Sequence, residues 1–405
     1  MSNCESDLAH FDWPFFDEKH REFAKELENW AQSNLHDVDA PSCANVDEVD
    51  EICRTLVRRL GKSGFLNRCV PSINSRGEPE IDTRSVCIAR EILARHNGLA
   101  DFAFAMQGLG SGAISLQGSE TLKARVLDPV ASGRSIAAFA LSEPQAGSDV
   151  SAMQCTAERS GDSFILNGEK MWISNGGIAD FYVVFAREPG SSRSSGISAF
   201  FVEATTPGLE IAERLNVIAP HPLAKLRFDQ CVIPAANLIG VIGGGFKLAM
   251  KTLDIFRTSV GAAALGFARK ALNNGIDRAI NRAMFESTLA DTQLTKVKLS
   301  EMALAVDSSS LLIYRAAWMR DGGKNITREA AMAKLMATES AQRVIDSAVQ
   351  LWGGEGVQTG STVERLYREI RALRIYEGAT EVQQLIIGSD IVKKARSIQA
   401  EQNTN

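Results

Sequence analysis

Thr156-Ala157-Glu158-Arg159-Ser160-Gly161-Asp162-Ser163-Phe164-Ile165-Leu166-Asn167-Gly168-Glu169-Lys170-Met171-Trp172-Ile173-Ser174 is the stretch on which the fold turns. Thr156, Glu158, Phe164, Leu166, Lys170, Trp172 and Ser174 alternate around two turn signals, Ser160-Gly161-Asp162 and Asn167-Gly168. A period of two is that of a strand, and Gly beside Asp or Asn between such runs marks a hairpin. Further strands follow at Phe181 to Arg187, Ile197 to Val202 and Leu226 to Ile233, separated by Pro/Gly/Ser loops such as Glu188 to Gly196. Residues 134–243 therefore read as a compact antiparallel sheet or barrel, closed by Gly240 to Gly245.

On either side the period is 3.6, that of helices. Before the sheet, Phe23, Leu27 and Trp30 mark a helix over Asp17 to Gln32, and a second covers Val49 to Leu60 until Gly61 and Gly64 stop it. A polar loop at Asn74 to Glu80 precedes a third helix through Val86, Ile88, Ala89, Ile92 and Leu93. A fourth, Ala100 to Leu116, carries Gly108, Gly110 and Gly112, which allow close packing or leave room for a ligand. After the sheet, one long apolar face runs from Phe246 to Phe267, followed by helices at Gln293 to Arg320, Thr327 to Leu351 and a tail from Ser361 to Ala395. The expected fold is mainly α with a β-barrel in the middle. Its domains are an N-terminal helical one at 1–133, the barrel at 134–243 and a C-terminal helical bundle at 244–405.

With 405 residues, 45% hydrophobic and 23% charged, the chain has the balance of an ordinary globular protein. Its net charge of −5 offers no attraction to nucleic acid or an anionic membrane. The seven cysteines form no Cys-x-x-Cys pair, and the five histidines show no ligand spacing, so neither a metal site nor a redox motif is expected. There is no apolar run of membrane-spanning length, and Met1 to Asp7 lack signal or transit character, so a cytoplasmic location is expected.

The chemistry concentrates in polar and glycine-rich interruptions. Ala140 to Asp149 offers hydroxyls and free amides, Trp172 stands two residues from Ser174, and Gln350-Leu351-Trp352-Gly353-Gly354-Glu355-Gly356 ends a helix in a turn that admits phosphates. An indole, hydroxyls and glycine turns suit a flat heterocycle bearing a pyrophosphate. In the tail, Arg374-Ile375-Tyr376-Glu377-Gly378-Ala379-Thr380-Glu381 breaks the helical pattern, which places Glu377 on a connection between helices as a cap or as a desolvated general base.

These segments, in this order over about residues 15–395, resemble the acyl-CoA dehydrogenase family. Ala140 to Ala152 meets the family's first signature loop, and Gln350-x-x-Gly353-Gly354-x-Gly356 through Arg365 and Glu369 meets its second, with departures at Gly360 and Ala379. The resemblance implies FAD held by Leu141, Ser142, Trp172, Ser174, Arg282, Phe285, Gln293 and Thr380, with Gln350, Gly353 and Gly354 reaching the FAD of a neighbouring subunit. It implies acyl-CoA contacts at Ser148, Asp254, Arg257 and Gly378, and Glu377 as the catalytic carboxylate; Phe256, where some members place the base, cannot take a proton. It further implies removal of an α-proton and a β-hydride from an acyl-CoA to give a trans-2-enoyl-CoA, in the catabolism of fatty or other carboxylic acids. Electrons would pass to an electron-transfer flavoprotein, and the enzyme would be a homo-oligomer, a tetramer or a dimer. An acyl-CoA oxidase, a flavin monooxygenase on the same fold, which would lack the base that Glu377 supplies, and a flavin-containing nucleic-acid-binding relative are the competing readings.

Overall fold

The computed structural model describes residues 8–36, 38, 45–73 and 79–404. Its helices are α1 (Glu18–Asn34), α2 (Val46–Lys62), α3 (Thr83–His96), α4 (Gly98–Gln117), α5 (Glu120–Ala131), α6 (Gly245–Asn281), α7 (Gln293–Asp321), α8 (Thr327–Trp352), α9 (Thr362–Leu373) and α10 (Thr380–Thr404). Its strands are β1 (Ser72–Ile73), β2 (Pro79–Glu80), β3 (Ala137–Ala140), β4 (Thr156–Ser160), β5 (Ser163–Ser174), β6 (Phe181–Arg187), β7 (Ile197–Glu203), β8 (Leu209–Arg214), β9 (Leu223–Pro234), β10 (Leu238–Ile239), β11 (Ala283–Met284) and β12 (Ser287–Thr288). The described residues fall into two compact units, one from Met1–Ser33, Thr83–Gly98 and Arg257–Asn405, the other from Asn34–Asp82 and Leu99–Phe256. Cys4, Cys43, Met1 to Asp7 and most of the loop expected after Asn74 lie outside the described residues; Cys53, Cys69, Cys87, Cys155 and Cys231 are buried free thiols.

In the unit that holds the sheet, α2 begins with a capping box, Asn45 accepting from the Glu48 amide while Glu48 accepts from the Asn45 amide. Gly61 lies inside α2 rather than ending it, because its missing side chain lets the backbone of Ser132 and Gly133 press against the helix; left-handed Gly64, with φ 77°, follows the end. The glycines of α4 serve packing: a Cβ at Gly108 would stand 2.6 Å from the Phe256 ring, and one at Gly110 2.6 Å from Ala137. Gln107 hands both ends of its amide to backbone, donating to Ser135 O (2.7 Å) and accepting from Ala137 N (3.0 Å).

The sheet departs from the expected barrel. Its order is β10-β7-β6-β4-β5-β9-β8 with β3 beside β6, and among the described residues β10 and β8 do not pair, so it stays open. It is mixed rather than antiparallel, since β3 and β4 both run parallel to β6. The reason is local: β7 occupies one edge of β6 from Phe181 to Arg187, so β3 and β4 share the other edge in tandem, and residues 141–155 loop out between them. The turn at Gly161-Asp162 forms as expected. Asn167-Gly168 instead lies within β5, where a Cβ on Gly168 would stand 2.8 Å from Cys155 Cα, and Asn167 Oδ1 accepts from Gln230 N (2.8 Å) opposite a register shift. A second register shift, between Lys170 and Ile173, leaves one extra residue on β5.

The other unit is helical. Ser361 caps α9, which buries Val363, Leu366, Ile370 and Leu373 at helical spacing. Gly261 lets α6, α7 and α8 approach closely, with Ile313 Cγ1 and Ala333 O within 3.3 Å of where its Cβ would be. Buried Glu91 on α3 gathers His10 (3.1 Å), Arg269 of α6 (2.6 Å) and the Tyr314 hydroxyl of α7.

Candidate active site

Glu377 stands where α9 has ended and α10 has not begun. Its φ is 52° and that of Gly378 is 96°, two successive left-handed residues. Gly378 takes this conformation at little cost, but a glutamate does so only where its surroundings over-determine it. The constraint comes from α8 and α10: the Gly378 carbonyl accepts from Lys334 Nζ of α8 (2.7 Å) and from Gln383 Nε2 of α10 (2.9 Å), and both of these side chains are fully buried. Beside them, Glu339 of α8 accepts from Arg374 Nε (2.8 Å) and from the Thr380 hydroxyl (2.6 Å). Burial pushes the Glu339 carboxyl up, but those two bonds hold it below its usual range. Burial drives Lys334 down to about 8, opposed by the Glu377 carboxylate and assisted by buried Arg257. Arg257, Glu377, Gly378 and Thr380 thus belong to one unit, and the Thr380 hydroxyl is already committed to Glu339.

The other unit brings together Leu141, Ser142, Trp172 and Ser174. Their anchor is Lys170, fully buried, whose Nζ reaches Glu143 Oε1 (2.7 Å) and Leu141 O (3.0 Å). Glu143 in turn accepts from Gln154 N (2.6 Å) and Cys155 N (3.0 Å), tying both ends of the 141–155 loop to the sheet. The Met171 amide donates to Ser142 O (2.9 Å), fixing the loop against β5. The extra residue on β5 then places Trp172 in left-handed backbone (φ 61°) with its indole 55% exposed, beside buried Ile173 and half-buried Ser174. Ser148 is exposed on the same loop, and Asp254 is half-buried on α6.

The remaining expected contacts lie at the far ends of long helices. Phe285 and Glu286 form the left-handed tip (φ 48° and 59°) of the β11–β12 hairpin, with the Phe285 ring 87% exposed and Arg282 and Gln293 exposed at its base. Gln350 is exposed near the end of α8; Gly353 (φ 64°) and Gly354 follow with no atom within 4 Å of an added Cβ. Gly360 also has positive φ (92°), which accounts for a glycine at that turn.

These features fit a flavin dinucleotide. In the unit that holds the sheet, among the described residues, the hydroxyls of Ser142 and Ser174 have no protein partner, and the Trp172 indole is presented to solvent from strained backbone. Strained residues of this kind cluster at ligand sites. The residues that the sequence reading left without a role are Lys170, Glu143, Lys334 and Gln383. Two of them leave a trace in the sequence: Lys170 falls in the buried phase of β5, and Lys334 interrupts an alanine stripe at Ala330, Ala337 and Ala341.

The matches to known families lie over the same segments. The acyl-CoA dehydrogenase N-terminal, middle and C-terminal domains match residues 17–134, 138–231 and 243–392. The chain belongs to the acyl-CoA dehydrogenase family, and it is an oxidoreductase acting on CH–CH groups. The mitochondrial short-chain specific acyl-CoA dehydrogenase of Rattus norvegicus is 38% identical over 94% of this chain and 92% of its own. A solved structure described as the electron transferring flavoprotein of Acidaminococcus fermentans is 32% identical, with a TM-score of 0.83 over 93% of this chain and 98% of that one. Acyl-CoA dehydrogenase of Bacillus anthracis complexed with FAD is 27% identical, with a TM-score of 0.85 over 95% of this chain and 68% of that one. Among the described residues no helix is long and apolar enough to cross a membrane, and no cluster of three His, Cys, Asp or Glu side chains could hold a metal ion.

Proposed function

We propose that the protein is an FAD-dependent acyl-CoA dehydrogenase in which Glu377 removes the α-proton of the thioester to yield a trans-2-enoyl-CoA. The observation that carries the reading is the left-handed Glu377-Gly378 pair, held by buried donors from two helices. A base presented this way keeps one geometry through the reaction, which is what proton transfer requires. FAD, when bound, supplies the acceptor for the β-hydride. Leu141, Ser142, Ser174 and Trp172 would hold its ring, the two hydroxyls bonding polar ring atoms and the indole keeping water from one face. Arg282, Phe285, Gln293 and Thr380 complete the cofactor set, and Gln350, Gly353 and Gly354 reach the FAD of a second subunit. Ser148, Asp254, Arg257 and Gly378 line the path of the acyl-CoA.

We assign the N-terminal helical, middle sheet and C-terminal bundle domains to 1–133, 134–243 and 244–405, a division that the three family matches support. The electron acceptor in this reading is an electron-transfer flavoprotein, the assembly a homotetramer and the location cytoplasmic. Likeness to a short-chain specific relative makes short acyl-CoAs the first to assay. The test is anaerobic bleaching of the purified yellow protein by a panel of straight, branched, cyclic and aromatic acyl-CoAs, repeated in air. Bleaching by none of them would reject the reaction, and rapid reoxidation by oxygen alone would move the protein to the oxidases.

A further inference from the structure

We infer that Lys334 is a positioning residue for the base: its ammonium clamps the Gly378 carbonyl and so maintains the left-handed turn that presents Glu377. The inference rests on the reading of Glu377 as the general base and adds a residue to it. Lys334 is fully buried, and its Nζ lies 2.7 Å from Gly378 O. Burying an ammonium is costly, and a lysine that only filled space here would be better replaced by methionine. What the charge provides is a strong, directed bond to the peptide that follows the base. Gln383 donates to the same oxygen at 2.9 Å, so the clamp draws on α8 and α10 together. A shift of either helix would be felt at Glu377 at once.

The charged groups around Lys334 are Glu377 and Arg374 on the connection, Arg257 on α6 and Glu339 on α8. Burial lowers the Lys334 pKa from 10.5 to about 8, with Glu377 opposing and Arg257 assisting. The clamp therefore loses its charge within an accessible pH range. Proton abstraction needs Glu377 ionised and Lys334 protonated, so the rate of flavin reduction should fall as pH rises through about 8.

The test compares Lys334→Met and Lys334→Arg with the wild-type holoenzyme. In Lys334→Met the Gly378 carbonyl keeps Gln383 as donor, so no buried acceptor is orphaned. We expect wild-type FAD content, a KM for acyl-CoA within about threefold, a limiting reduction rate lower by about 10- to 100-fold, and no alkaline limb near pH 8. Lys334→Arg stays charged throughout and should move the limb beyond the measurable range. A readout independent of turnover is the melting temperature. Because the folded-state pKa lies below the unfolded one, the unfolded chain binds more protons between about pH 8 and 10.5, so wild type should gain stability relative to Lys334→Met as pH rises through that window.

Wild-type rates with an unchanged alkaline limb in Lys334→Met would overturn the inference. So would a parallel fall of FAD content, melting temperature and rate in both variants, which would mark a purely structural lysine. Failure of the base assignment shows separately, as undiminished reduction in Glu377→Gln.

Discussion

Replacing Lys170 with methionine keeps the volume of the side chain and removes its charge. The structure gives the cost. Lys170 is fully buried and Glu143 is 6% exposed, their charged atoms 2.7 Å apart, so the substitution strands a buried carboxylate that retains only the amides of Gln154 and Cys155. It also removes the donor to Leu141 O. Breaking one side of a buried pair costs about 3–5 kcal/mol, and the pair fastens the loop that carries Leu141 and Ser142. If about 3 kcal/mol of that falls on the flavin-binding conformation, the dissociation constant for FAD rises about 100-fold. Fluorescence titration of stripped protein with FAD measures this directly. Glu143→Gln should act in the same direction, and the double variant should cost less than the two single changes together, because the stranded charge is gone. Near-wild-type FAD affinity in Lys170→Met, or strict additivity in the double variant, would show that the pair does not hold the flavin loop.

Trp172→Gly should relieve left-handed strain, stabilise the FAD-free protein by about 1 kcal/mol and so raise its melting temperature, while weakening FAD retention; a loss of stability without FAD would contradict the first half. Gly378→Ala places a methyl against Gln383 Nε2 at a φ of 96°, so flavin reduction should slow by at least about tenfold with FAD content preserved, as stopped-flow and absorbance spectra will show. Glu28 is paired with Arg95 and His96; burial pushes its carboxyl up, but the bonds from His96 and Arg95 bring it to about 2 from 4.5. A depressed carboxylate stabilises the fold above its unfolded pKa, so about 3 kcal/mol should be present above about pH 4.5 and lost as pH falls toward 2. Glu28→Gln should flatten that part of an acid-stability curve, and an unchanged curve would speak against the pairing.

Much of this molecule is legible without coordinates because long helices write their period over many residues. The helices after residue 245 come within a turn of their expected ends except α6, whose last turns carry polar residues that hide the apolar face, and α10, which runs on to Thr404 past the expected Ala395. The sheet was harder. β8 leaves no signature in the sequence because it is largely exposed, its Ile211 facing solvent, and it exists through pairing with β9 rather than through a buried face. Asn167-Gly168 mimics a hairpin, but the glycine is needed for the close approach of Cys155, a contact between neighbouring strands that no local pattern encodes. Closure of a barrel depends on the pairing of the two edge strands, which alternation cannot predict. At the site, Glu377 and Trp172 were legible as a chemical group beside a break or within an alternation. Lys170 and Lys334 show in the sequence only as polar residues in an apolar phase, and their roles emerge once their carbonyl and carboxylate partners are seen.

Whether Glu377 is the base is decided by Glu377→Gln. Glutamine keeps the shape of the side chain and leaves the Lys334 and Gln383 bonds to Gly378 in place. FAD content and acyl-CoA binding should therefore persist, while anaerobic flavin reduction by the best acyl-CoA slows by about 10²- to 10⁴-fold or more. Reduction of the Glu377→Gln flavin at close to the wild-type rate would contradict the account.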